Sequence, residues 1–448
     1  MNNKLNILST LIVSLTVIFL NSCKSDDNAT SSGNAFLGEI EAISTFGGTK
    51  NESAQSIVST QDGGYVILGH TQSKDFDITD KTNESYDYWV LKFDENNQLQ
   101  WNKTFGGSGD DRGKSIVQTL DGGYAILGQT NSANQDVTQN SGYYDFWLAK
   151  LDNAGNLIWE KSFGYSGLDI GVSVIQTTDN GFLLTGVLDV TASGGEGNTK
   201  QSHARHAGGD YWAIKTNASG DIEWSKYYGG SYSEVPNDVI ETNDGYIIVG
   251  SSDSDDIDIS NNKGDYDFWV VKINTTGSIV WEKSFGGSEI DEAWSITNTQ
   301  DGNYIIVGDA RSNDQDISNP YGASDLWLIK INPLGAIIWE KSFGGSSFDS
   351  GRSISNAQDN GFIISGSTRS IDGDLSANNG QNDAWVLKID ANANIEWQKT
   401  IGGSTIDYLY DAIELPNKNI IAVGESSSND FDLTNNNGFT DLLKIKIK

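Results

Sequence analysis

The sequence predicts an all-β fold, a seven-bladed β-propeller of four-stranded antiparallel blades, its ring closed by the N-terminal strand completing the last blade. Three observations carry that expectation. One unit recurs seven times, each copy holds four strand-like runs, and the two chain ends are complementary fragments of one unit. The octet WEKSFGGS stands at 281–288 and again at 339–346, with WEKSFGYS at 159–166. An active site needs its residues once, so verbatim reuse marks structural hardware, and function is sought where the copies differ.

Aligned on the residue before the recurring glycine, the copies fall at Phe46, Phe105, Phe163, Tyr228, Phe285, Phe343 and Ile401, separated by 59, 58, 65, 57, 58 and 58 residues. In the second copy the four runs read KSIVQT, YAILGQT, FWLAKL and LIWEKSF, rich in the β-branched and aromatic residues that suit short strands. Asp121-Gly122-Gly123 joins the first two runs as a hairpin turn, echoed by Asp62-Gly63-Gly64, Asp179-Asn180-Gly181 and Asp301-Gly302-Asn303. A second short turn, Asn153-Ala154-Gly155-Asn156, joins the last two. The final copy stops at DLLKIKIK, a third strand, whereas GEIEAISTFGG at 38–48 reads as a fourth strand with nothing before it. The N-terminal strand is therefore expected to complete the last blade and hide its edges. Of 13 Trp, 12 occupy two repeat positions. Trp89, Trp147, Trp212, Trp269, Trp327 and Trp385 fall on third strands, and Trp101, Trp159, Trp224, Trp281, Trp339 and Trp397 on fourth strands, as expected of packing between blades.

This pattern, with segments such as GGSGDDRGKSIVQTLDGGYAILGQTNS and GYYDFWLAKLDNAGNLIW in tandem, resembles the bacterial seven-bladed β-propeller (SBBP-like) repeat family. The resemblance covers about residues 38–448 and implies the fold; it carries over no catalytic residue, because propellers host many unrelated activities. The N-terminus resembles a bacterial lipoprotein signal, with a lone charge at Lys4, an apolar run over 7–20 and LNSC at 20–23. That resemblance implies a signal peptide at 1–22, lipidation of Cys23, a flexible tether over 23–36 and the propeller over 37–448. Lys24, Ser25, Asp26 and Asp27 look like the acidic surface-export tag of some Gram-negative lipoproteins. The expectation is a monomeric, surface-exposed outer-membrane lipoprotein that meets the membrane through its lipid alone. Cys23 is the single cysteine, which excludes disulfides, thiolate metal clusters and cysteine nucleophiles.

Against 29 basic residues stand 61 acidic ones, a formal net charge of -32 that repels nucleic acid and anionic lipid head groups. Glycans, proteins and divalent cations remain as partners. One recurring acid follows the glycine-rich turn (Glu52, Asp111, Asp169, Glu234, Asp291, Asp349, Asp407) and another opens each third strand (Asp87, Asp145, Asp210, Asp267, Asp325, Asp383, Asp441). Strand order puts both sets at one end, and recurrence in every copy points to caps for loop N–H groups. The same end carries D-x-D loops: Asp75 and Asp77, Asp256 and Asp258, Asp314 and Asp316, Asp372 and Asp374, Asp430 and Asp432. Alternating carboxylates are a candidate Ca²⁺ set, although the Gly and the bidentate Glu of an EF-hand loop are missing; an Asx turn or solvated acidic loop is the alternative. No firm cofactor follows.

Irregularities are more telling. The third copy lacks the D-x-D loop and inserts TASGGEGNTKQSHARHAGG, whose Lys200, His203, Arg205 and His206 form a cationic island suited to a ligand carboxylate or a metal. Three residues after the first recurring acid, the copies read Gln55, Lys114, Val172, Asn237, Trp294, Arg352 and Tyr410, while the residue before is mostly small. Such variation beside uniformity suggests a ligand-facing ring, with Trp294 and Tyr410 placed to stack a sugar and Gln55, Lys114, Asn237 and Arg352 to bond it. No GxSxG, HExxH or phosphate-loop motif is present. The functional expectation is a non-catalytic binding or interaction module for a glycan or protein. The alternatives are a glycosidase-like enzyme using carboxylates at the loop-rich end and a structural partner of an outer-membrane complex.

Overall fold

A computed structural model describes residues 38–197 and 206–448. The seven copies form seven four-stranded antiparallel sheets arranged in a ring. Blades 1 to 6 span 52–105, 111–163, 170–228, 234–285, 291–343 and 349–401, and blade 7 joins 407–447 to the N-terminal strand. The first strand of every blade lies innermost and packs against the first strands of its two neighbours. First strands run away from the loop-rich end and second strands return to it.

Ring closure follows the expectation. Ile40–Phe46 pairs antiparallel with Asp441–Ile447, Ile43 opposite Ile445 and Phe46 opposite Leu442. Glu41 meets Lys446 at 3.1 Å. Gly38, at φ 64, lies so close to the Trp397 ring that a Cβ there would fall 2.5 Å from it. Gly155 sits in the same way on Trp101, so the N-terminal segment occupies the berth that a following blade's turn takes elsewhere.

The repeated octet is junction hardware. Third-strand indoles are buried and need an acceptor for their N–H. Trp147 Nε1 donates to Glu160 at 2.8 Å, Trp327 to Glu340 at 3.0 Å and Trp269 to Glu282 at 3.2 Å, so the Glu of WEKSF serves its own blade's core Trp. The octet's Trp reaches the next blade's turn, as Trp281 Nε1 does to Pro333 O at 3.1 Å. Its Phe enters the apolar layer between blades, where Phe285 joins Val270, Ile306 and Trp327.

Charge is placed with the same economy. Each third strand buries a lysine near the hairpin end, and Lys92, Lys150, Lys215 and Lys330 meet Asp62, Asp121, Asp179 and Asp301 at 2.7–3.0 Å. Blade 7 departs from this pattern by carrying a further lysine, Lys444, where the other blades have Val90, Leu148, Ala213, Val270, Leu328 and Val386. Lys444 is 2% exposed, bonds Asn97 Oδ1 at 2.9 Å and lies 3.8 Å from the Phe93 ring centre. Burial, with Lys446 beside it, lowers its pKa to about 7. Lys444→Leu is therefore expected to stabilise the closing blade by about 1–3 kcal/mol in urea unfolding. Because a depressed amine pKa costs stability wherever the ammonium must be buried charged, the gain is largest below pH 7 and fades towards pH 10.

Candidate functional site

At the loop-rich end each Gly-Gly turn is held by side chains acting on consecutive N–H groups. Gly344 N donates to Asp374 Oδ2 (3.1 Å), Gly345 N to Asp349 Oδ2 (2.7 Å), Ser346 N to Asp372 Oδ1 (2.7 Å) and Ser347 N to Ser370 Oγ (3.0 Å). Blade 1 repeats the set with Asp77, Glu52, Asp75 and Ser73, blade 5 with Asp316, Asp291, Asp314 and Ser312, and blade 7 with Asp432, Asp407, Asp430 and Ser428. In blade 4, Asp256 accepts from Ser231 N at 2.9 Å, and Asp258 N bonds Gly229 O. Apart from Asp258, the D-x-D carboxylates offered by the sequence as Ca²⁺ ligands each accept a turn N–H group. Among the described residues no three His, Cys, Asp or Glu side chains converge as an ion-holding set.

The acids opening the third strands face this clamp from the preceding blade. A Cβ on Gly106 would lie 2.6 Å from Asp111 Oδ2 and 2.8 Å from Asp87 Oδ1, so only a glycine fits between these two carboxyl groups. In all seven blades Oδ1 of this aspartate is buried without a hydrogen-bond partner among the described residues. Burial is the leading cause that raises the pKa of every one, to about 7 at Asp87 and Asp267.

Chemistry that differs between blades gathers on the innermost strands. In every one the ladder register shifts across one residue, and the residues passed over are Gln55, Lys114, Val172, Asn237, Trp294, Arg352 and Tyr410, the ring singled out in the sequence. Each is a β-bulge residue, freed from ladder pairing and half-buried around the axis. Neighbours touch: Lys114 Nζ donates to Gln55 Oε1 at 2.9 Å, Asn237 Nδ2 to Ala293 O at 2.7 Å, and the Arg352 guanidinium lies 3.7 Å from the Trp294 ring centre.

Two further variable positions flank the bulges, on the opposed ends of first and second strands: Ser53 with His70, Arg112 with Gln129, Glu292 with Asp309, Tyr408 with Glu425. Asp309 Oδ1 accepts from Trp294 Nε1 (2.6 Å) and Ser350 Oγ (2.8 Å), and Tyr410 Oη donates to Glu425 at 3.0 Å. His70 is held neutral, its pKa lowered to about 3 by burial and then by Lys114 and Arg112. Sequence reasoning passed over these positions, although the signal was present in the residue after each second-strand glycine: GHT, GQT, GDA, GES.

The insertion of blade 3 begins as a single-turn helix, Val190–Ser193, capped by Asp189. His206 Nδ1 bonds Asp210 Oδ2 at 2.5 Å, taking the part that a loop N–H plays toward the equivalent acids of other blades. His203 and Arg205 lie outside the described residues, as does Cys23.

A closed seven-bladed β-propeller assembled from tandem repeats is the class these features define. No protein-family model matches the chain. Regulatory protein FlaEY of Caulobacter vibrioides is 22% identical over 233 residues, 50% of this chain and 24% of FlaEY, so the match spans about a quarter of that relative's length. Among solved structures, Sqt1 from Chaetomium thermophilum aligns over 87% of this chain and 83% of its own with 11% identity and a TM-score of 0.44. A candidate gluconolactonase aligns over 92% and 94% with 8% identity and a TM-score of 0.37.

Proposed function

We propose that this protein is a non-catalytic binding module, held in the outer membrane by lipid on Cys23, that receives a glycan or protein partner at the axial ring of its loop-rich end. One observation carries the reading: seven bulge residues at equivalent backbone sites differ in every blade, while the acids and indoles around them repeat. Packing alone favours the same side chain at the same site, so diversity there fits a ligand without sevenfold symmetry. Trp294, Tyr410, Gln55 and Asn237 supply aromatic faces and amides of the kind that hold sugar rings and hydroxyls.

The test is a glycan array with a soluble form beginning near Ala35, run with Ca²⁺ present. Trp294→Ala is expected to weaken the best hit at least about tenfold, the scale of one lost buried aromatic contact, with an unchanged melting temperature. Binding that ignores the substitution overturns the axial site. A blank array moves the reading to an assembly partner in the envelope, sought by crosslinking at the cell surface.

A second reading, glycan hydrolysis, draws on Glu292 opposite Asp309, where burial and then Asp309 raise the Glu292 pKa as a general acid requires. Hydrolysis of an array hit that is lost in Glu292→Gln would establish it.

A further inference from the structure

The chain spends its two kinds of cation differently. Third-strand lysines are matched to hairpin acids at the end away from the loops. Arginine follows another rule: Arg112, Arg311, Arg352 and Arg369, four of only five in the sequence, all stand where first strands begin or second strands end, at the loop-rich end. Arginine is the side chain suited to fork-like bonding of a carboxylate or similar anion.

Arg112 pairs with Asp110 at 3.7 Å, whereas two cations of the axial ring lack a direct ion pair among the described residues. Among the described residues Lys114 makes one hydrogen bond, to the neutral Gln55 amide, and Arg352 lies against the Trp294 ring; neither forms an ion pair. The nearby acids hold other hydrogen bonds, Asp309 from Trp294 and Ser350 and Glu425 from Tyr410, and reach these cations through space, Glu425 acting on Lys114 and Glu292 on Arg352. Lys114 on blade 2 and Arg352 on blade 6 stand three blades apart, nearly opposite one another. Burial and then the charge of Arg112 weaken the proton's hold on Lys114, Glu425 opposes them, and Arg352 adds a smaller push in the same direction as Arg112. Two cations on opposite sides of the axis, neither held in a direct ion pair, can each give a charge-assisted hydrogen bond to an anion that enters between them.

We propose that the axial ring recognises a single carboxylate carried on the terminal ring of an otherwise neutral glycan, an acidic sugar presented end-on with its carboxylate between Lys114 and Arg352. This rests on the axial-site reading above and gives it a ligand class. The cations select the acid group, and the amides and bonded acids around them suit hydroxyls. The protein's overall charge selects against polyanions, so one acid group on a neutral chain is the form that reaches the site.

The probes are a glucose trisaccharide and the same trisaccharide with its terminal ring oxidised at C6 to a uronate, titrated into the full chain in detergent. The uronate is expected to bind at least about tenfold more tightly, with affinity falling as salt rises. Arg352→Gln and Lys114→Gln should each remove that preference, so that within each variant the uronate binds no more tightly than the neutral sugar. Equal binding of both sugars, weakened by Trp294→Ala but untouched by Arg352→Gln, overturns the anion while keeping the site. Uronate binding insensitive to all three substitutions overturns the site itself. Preference for a peptide C-terminus over both sugars overturns the sugar class.

Discussion

Raising the pH from 5 to 8 is expected to lower the melting temperature by ~5–10 °C, the effect of each group being discounted for solvent screening. The cause is the ring of third-strand aspartates. Each has one oxygen buried without a partner, and Asp87, Asp267, Asp325, Asp383 and Asp441 each feel the first-strand acid of the next blade. Burial leads in raising them from 3.8, to about 7 at Asp87 and Asp267 and about 6 at Asp210, Asp325, Asp383 and Asp441. A folded-state pKa above the unfolded one means that the folded protein holds the proton more tightly. That stabilisation is complete below about pH 4 and is lost as the pH rises through 6 to 7. The hairpin aspartates act in the opposite sense. Burial opposes it, yet hydrogen bonds from Thr119 and Lys150 bring Asp121 to about 2, and Asp179 matches it with Thr177 and Lys215. Their contribution is present above pH 4 and lost as the pH falls towards 2. Stability should therefore peak near pH 4 to 5. Repulsion among surface acids also grows with pH, but salt screens it and does not screen buried pairs. A decline that vanishes in 0.5 M NaCl would assign the effect to the surface. Asp325→Asn gives the residue-level check: its amide can donate to Asp349 at any pH, so the variant should lose less stability than the parent between pH 5 and 8.

The fold was open to reading because its signal is redundant: seven copies of each strand outvote the ambiguity of any one. Ring closure was legible in the two leftover fragments. The axial ring was visible as variation beside small residues, yet the bulge that frees those side chains was not, because every copy carries the same extra residue at the same distance from its recurring acid. His70, Asp309 and Glu425 were missed because their pairing with first-strand residues is set by the hairpin, and the contacts that matter cross from one blade to the next. The D-x-D loops show the limit of local pattern. Alternating carboxylates look the same whether they face an ion or an N–H, and Thr49 N, which Asp75 accepts, lies 26 residues away in the chain.

Removing residues 1–47 is expected to have the largest effect of any change, yielding protein that aggregates or elutes as an expanded, protease-sensitive chain. Without Ile40–Phe46, the third strand Asp441–Ile447, buried along its whole length, becomes an open edge with unpaired N–H and C=O groups. Lys446 loses Glu41, and Trp397 loses the cover of Gly38. Phe46 leaves its edge-on contact with Phe93, 5.6 Å between centres, in the layer that joins blade 7 to blade 1. That junction keeps Trp89, Tyr65 and Phe93 from blade 1, but Ala42 stands where the other fourth strands place a Trp. A ring also differs from an open stack: losing one strand separates blade 7 from the chain's other end, so the seam that holds the first and last blades in register opens. Adding a synthetic peptide of residues 38–48 should restore a compact, protease-resistant ring, and the same peptide with Phe46→Asp should not. A truncated chain that melts cooperatively at the parent's temperature would mean that the contacts between blades hold the ring without the strand, and that closure contributes nothing measurable to its stability.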